Sequence, residues 1–207
     1  MRRSTFHMKE GEEIRQFLEE MSFGFLGTHG DDGYPHMTPL NFVYHEGAFY
    51  MHGSRAGQKM KNMRANERVT FAVAKEYSLI PSYWLDPVLA CPATAFFKSV
   101  FVRGEAVVVE DLEEKAAAFG AFMRKLQPEG GYAPFDPEHP QYAKELKAVA
   151  MIKIVVEEMT AKFKFGQNWP EERTAHVAEE LLERGRPLDA ETAELMRKYC
   201  PHHKDNG

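Results

Sequence analysis

Apolar residues recur along this chain in two rhythms. Between Glu12 and Met21, the residues Ile14, Phe17, Leu18 and Met21 fall at helical spacing, which predicts a short amphipathic helix laid on a larger body. From Phe23 the rhythm shortens. Phe23 to His29, Tyr34 to Tyr44 and Ala48 to Gly53 are aromatic and aliphatic runs parted by the glycine turns Asp31-Asp32-Gly33 and Glu46-Gly47, the pattern of a β-meander. A helix-forming segment, Ala56 to Asn66, bridges to a further apolar run at Val69 to Ala74. Pro81, Pro87 and Pro92 make Ile80 to Pro92 an irregular excursion, and Thr94 to Val109 is the longest β-like stretch, with Gly104 marking a bend or bulge.

Asp111, with Glu114 three residues later, opens a helix whose apolar stripe is Phe119, Phe122, Met123 and Leu126, and Pro128 to Pro140 reads as loop. Val149 to Val156, continued through Met159 to Phe165, is the last strand. Asn168 and Pro170 start a tail helix that Gly185 closes, and a second runs from near Asp189 toward Tyr199. About six strands, mostly in hairpin order with few helices between them, predict a mainly β chain built as a closed or nearly closed antiparallel barrel. Peripheral helices decorate it. On this reading residues 1–167 form the barrel domain and 168–207 a helical extension packed on it.

Composition narrows the function. With 43% apolar and 28% charged residues in 207, the chain can bury a full core without staples. A net charge of −5 provides no basic field for phosphate backbones, so nucleic acid is not an expected partner. No run approaches the length of a membrane span and no secretory leader is seen, so a cytoplasmic protein with no membrane partner is expected. Cys91 and Cys200 form no CxxC pair and read as reduced thiols. Cys200, His202 and His203 cluster in a terminal tail without a second spaced pair, which reads as a frayed end, and no metal is expected.

Chemistry concentrates in His52-Gly53-Ser54-Arg55-Ala56-Gly57-Gln58-Lys59, which follows a strand and opens a helix. Small residues let main-chain N–H groups approach an anion, the helix start adds a favourable dipole, and Ser54, Arg55 and Lys59 add donors and charge. The same residues suit any strand-to-helix turn, so composition alone leaves a phosphate cradle and a plain turn both open.

Three segments read together decide between them. Gly33-Tyr34-Pro35-His36-Met37-Thr38-Pro39-Leu40-Asn41-Phe42, then Phe49-Tyr50-Met51-His52-Gly53-Ser54 with Gly57 and Lys59, then Lys98-Ser99-Val100-Phe101-Val102-Arg103-Gly104, resemble the pyridoxamine 5′-phosphate oxidase-like, FMN-binding split-barrel superfamily. The resemblance spans roughly Glu12 to Gln167 and is nearest to the nitroimidazole-resistance branch. It implies a six-stranded antiparallel split β-barrel that shares FMN across a homodimer. Thr38, Pro39, Leu40 and Asn41 would lie along the isoalloxazine edge, His52, Gly53, Ser54, Gly57 and Lys59 at the ribityl chain and phosphate, and Lys98 and Ser99 at the fifth strand's contribution. Lys98 and Ser99 point to opposite faces of an alternating strand, so they cannot both meet the same ring. His52 is the one candidate for a catalytic role, against a packed structural histidine. Arg55-Ala56 and Gln58 depart from the Ser-Arg-Lys run of the true oxidases, and Gln167-Asn168-Trp169-Pro170 stands where their Arg-rich substrate segment would be.

The function implied is a flavin-dependent reductase or oxidase of a small molecule. NAD(P)H would meet the flavin only transiently, because no G-x-G-x-x-G is present. The alternative from the same superfamily is a non-catalytic flavin or haem carrier or sensor. FAD in place of FMN stays open.

Overall fold

Eight strands and six helices are formed by residues 6–8 and 11–201, the part of the chain that the computed structural model describes. In order they are β1 (His7–Met8), α1 (Glu12–Glu20), β2 (Phe23–His29), β3 (Pro35–Asn41), β4 (Val43–His45), β5 (Ala48–Gly53), α2 (Gln58–Ala65), β6 (Arg68–Ile80), β7 (Thr94–Val109), α3 (Leu112–Leu126), α4 (Pro140–Ala148), β8 (Ala150–Lys164), α5 (Glu171–Arg184) and α6 (Asp189–Tyr199). A short 3₁₀ turn at Ser82–Trp84 lies between β6 and β7. The strands hydrogen-bond in the order β3-β2-β6-β7-β8-β5-β4, with β1 added on β8, and the hairpin pairings are antiparallel. This is a mainly β fold of the split-barrel class with peripheral helices.

The strand count corrects the expected six to eight. Phe42 and Val43 are both buried, so the in–out alternation slips by one residue. The Phe42 N–H still donates to Ser22 O (3.2 Å) as the last rung of the β2–β3 ladder, and from Val43 the chain pairs with β5 as β4. The extra strand β1 is a two-residue pairing to Lys162 and Ala161.

The described residues fall into two compact units. One draws on residues 11–73 and 100–160, the other on residues 6–8, 74–99 and 161–201. In the first, alternation on β2, β6 and β7 sends Leu26, Phe71, Val73, Val100 and Val102 inward. The rings of Phe42, Phe49 and Phe71 meet there at 5.2–5.8 Å. Helix α3 starts where Asp111 caps it, accepting from Glu114 N at 2.7 Å, and covers a second cluster with Tyr50, Val109 and Met151. At Gly104 of β7 a side-chain Cβ would fall 2.0 Å from Val155 O, so only glycine admits this close strand approach.

Lys125 of α3 is half-buried against this core. Its ammonium donates to Leu18 O at 2.7 Å and Phe42 O at 3.4 Å, and lies 4.4 Å above the Phe42 ring. Burial pushes its amine from 10.5 down to about 8. The unfolded chain therefore holds the extra proton between about pH 8 and 10.5, and this group's contribution to stability rises with pH across that window. Lys125→Met keeps the stem and cannot titrate. Thermal midpoints followed from about pH 7.5 to about pH 10 should rise more for the wild type than for this variant. Parallel profiles would refute the assignment.

In the second unit, Phe96 and Phe165 are buried, and Tyr199 of α6 stacks on Phe165 at 5.6 Å. The Asp189 carboxylate is buried and accepts from Arg184 (2.6 and 2.8 Å), Ser78 Oγ (2.7 Å) and Arg186 N (2.9 Å), a satisfied set that the hydrogen bonds and the guanidinium stabilise as the anion. The N-cap position of helix α5 is Pro170 rather than Asn168, with no side-chain cap hydrogen bond, and the helix ends on Gly185 in the left-handed region (φ 62°). His202 and His203 of the terminal cluster lie outside the described residues.

Candidate functional site

The strand carrying Thr38, Pro39, Leu40 and Asn41 is β3, the outer strand of the order on its side. Pro39, which has no N–H to give a ladder, suits that edge. Thr38 and Leu40 are half-buried, whereas Met37, Pro39 and Asn41 face outward. Asn41 Nδ2 donates to Ser22 O at 2.9 Å.

The turn after β5 is built from Gly53, Ser54 and Gly57. Ser54 Oγ accepts from Ala56 N at 3.1 Å, tightening the bend. Gly57 sits at φ 107°, where side chains are strained, and has nothing within 4 Å of its missing Cβ. It begins α2, whose N-cap has no side-chain hydrogen bond. The first-turn N–H groups of α2 therefore point out of the turn without a side-chain acceptor. Lys59 folds back so that its Nζ would lie 3.3 Å from a Cβ at Gly53. Four of the expected residues, Gly53, Ser54, Gly57 and Lys59, thus lie along one turn, with the Lys59 ammonium folded back toward Gly53. Arg55 turns away: it donates to Lys147 O at 3.0 Å and pairs with Glu110.

His52 shares the face of β5 that α3 covers. Its ring lies 5.3 Å from Phe119 and 5.0 Å from Phe122, the latter edge-on, and its partial burial pushes the imidazole below its ordinary pKa. The neighbouring Tyr50 hydroxyl donates to Glu114 Oε1 at 2.9 Å, and Lys153 donates to the same oxygen at 2.7 Å. The Lys153 hydrogen bond holds Glu114 below its usual carboxylate range.

Lys98 and Ser99 belong to the other unit. Lys98 is buried, its ammonium 5.2 Å from both the Tyr77 and Phe163 rings, and Ser99 takes the opposite, half-exposed face. The two side chains thus take opposite faces, as strand alternation predicts, with Ser99 on the outer one.

Two features have no counterpart in the sequence reading. The first is a groove of about 800 Å³ lined by Thr28, Met37, Arg68, Thr70, Arg103 and Glu158 among others, with Arg103 paired to Glu158. Around it Phe23, Phe25, Met37 and Phe101 are 44–57% exposed, an unusual density of large apolar side chains in solvent. The second is a polar network under α2 centred on Asn62. Outward alternation on β2 and β7 could have flagged the first. Asn62 reads in sequence as an ordinary helix residue between Lys61 and Met63.

Among the described residues no helix is long and apolar enough to cross a membrane. The chain matches the pyridoxamine 5′-phosphate oxidase family profile over residues 10–163. It is 28% identical over 197 residues to the protease synthase and sporulation protein PAI 2 of Bacillus subtilis, covering 92% of this chain and 93% of that one. The flavocytochrome Anf3 from Azotobacter vinelandii superposes with a TM-score of 0.65 at 24% identity, over 82% of this chain and 75% of that one. A proposed 5-nitroimidazole antibiotic resistance protein from Bacteroides thetaiotaomicron gives 0.61 at 22% identity, over 75% and 85%. These structural likenesses establish the fold.

Proposed function

The chain belongs to the pyridoxamine 5′-phosphate oxidase family, and we propose that it is a flavoprotein that holds FMN between two copies of itself and exchanges electrons with a small molecule. The observation that carries this reading is the turn after β5, where a positive-φ glycine, a helix start without a side-chain cap and the Lys59 ammonium folded back toward Gly53 follow one another. That donor set is what a phosphate monoester needs: N–H groups, a hydroxyl from Ser54 and one cation. With Arg55 committed to Glu110 and Lys147, Lys59 is the charge left for the phosphate.

Thr38 to Asn41 would then bind the ring's hydrogen-bonding edge along β3, and His52, solvent-accessible but with its ring against Phe119 and Phe122, would stay beside the site with a lowered pKa that favours the neutral imidazole. Ser99 is better placed than Lys98 to reach outward to a ligand. The exposed apolar surface on β2, β3 and β7 would be covered by the second copy. Bound flavin supplies the hydride and electron chemistry, and the chain supplies position and exclusion of water. The structural neighbour's name, flavocytochrome, supports flavin as a cargo of this fold and keeps haem as the competitor to exclude.

Anaerobic titration of the FMN-loaded protein with NADH and with NADPH tests the redox part. The flavin absorbance should bleach with one of them and return on adding a nitroaromatic or quinone acceptor. Flavin that neither donor reduces would overturn the oxidoreductase reading and leave a carrier or sensor.

A further inference from the structure

Asn62 lies on the inner face of α2 and is 1% exposed. Its amide orientation follows from an acceptor that cannot be reversed. The Asp31 carboxylate accepts from Gln58 Nε2 at 3.2 Å, so the same NH₂ group also donates to Asn62, whose facing atom is Oδ1 (2.8 Å). Asn62 Nδ2 therefore faces the other way, donating to Thr28 Oγ1 at 3.0 Å and to His36 Nδ1 at 3.2 Å. With Nδ1 accepting, His36 carries its proton on Nε2, which donates to Asp32 at 3.0 and 3.1 Å. Every polar atom of the buried amide is used. Lys61 adds a surface pair to Asp31.

The network joins three pieces of backbone. Gln58 is the first residue of α2, one before Lys59, Thr28 lies on β2, and His36 lies on β3 two residues before Thr38. It therefore fixes the start of α2 against the strand expected to carry the flavin ring. A ligand gripped at both ends gains from that fixed separation, because its two grips need no reorganisation on binding.

We infer that Asn62 is a positioning residue that sets the separation between the phosphate cradle and the ring strand, so that the site selects a flavin bearing a terminal phosphate over one without it. This deepens the FMN reading and rests on it.

The test compares FMN with riboflavin, which has the ring and ribityl chain and no phosphate, by quenching of flavin fluorescence. Wild type should prefer FMN. In Asn62→Ala the preference should shrink by about tenfold, with riboflavin affinity changed less than about threefold. Thr28→Val, which removes one acceptor while keeping shape, should move in the same direction by less. Val102→Ala, a buried core truncation with no polar role, serves as the stability control and should keep the wild-type ratio even as its thermal midpoint falls. An Asn62→Ala protein that keeps the wild-type ratio overturns the inference alone. If Asn62→Ala does not fold, Thr28→Val decides on the same criterion. A wild type that binds neither flavin, or binds both equally, overturns the cradle reading and this inference with it.

Discussion

Replacing Lys59 by Ala weakens FMN binding by about 10- to 150-fold, the loss of one charge-assisted hydrogen bond worth roughly 1.5–3 kcal/mol. Secondary structure hardly changes, because Ala is a better helix former than Lys and the Lys59 ammonium reaches back over Gly53 rather than into the core. The magnitude rests on geometry: Arg55 cannot stand in for the lost cation while Glu110 and the Lys147 carbonyl hold it. Lys61 is the matched control. It sits two residues on in the same helix, fully at the surface, and pairs with Asp31. Lys61→Ala should leave FMN affinity within about threefold of wild type, and raising the salt should narrow the gap between the two variants. Equal affinities for the Lys59 and Lys61 variants would remove the cradle from the account.

The second large effect concerns the outward apolar surface. Wild type should sediment as a dimer at micromolar concentration. Phe25, 48% exposed on β2, is expected to lie in the contact. In an isologous interface each substitution counts twice, so Phe25→Glu loses about 3–6 kcal/mol of apolar burial per dimer, a shift of at least about 100-fold in dimer dissociation. FMN content should fall with it, because half of the flavin's surroundings would come from the second copy. Analytical ultracentrifugation at several concentrations, with absorbance at the flavin bands, reads both. A wild type that is monomeric with flavin bound contradicts the shared-site arrangement, as does a Phe25→Glu protein that stays dimeric.

Much of the fold was legible because its signals are local. The apolar spacing of α1, the Asp111 cap of α3 and the glycine end of α5 each act within one turn of their own residue. Thr94–Val109 reads as the longest strand and is the longest, at 16 residues. What escaped depends on partners far along the chain. The break at Phe42 follows from a core that takes two successive side chains, which no alternation rule anticipates. Pro140 reads as the end of a loop, yet it is the first residue of α4, where its missing N–H costs nothing. The same division runs through the site. That His52 to Lys59 makes a strand-to-helix turn is visible in its glycines. Asn62 is not, because its partners Thr28 and His36 are 34 and 26 residues away and one amide on a helix looks like any solvated one. The outward strand faces showed as alternation only once β2 and β7 were placed.

Whether the turn after β5 and the edge strand β3 form an FMN site is decided by identifying the ligand that co-purifies with the intact chain. Protein purified without added cofactor, denatured and analysed by mass spectrometry alongside its visible spectrum, should release FMN and show the two flavin bands. Release of FAD would keep a flavin site and revise the phosphate assignment. A Soret band without flavin, or a colourless protein that does not take up FMN on titration, would contradict the account.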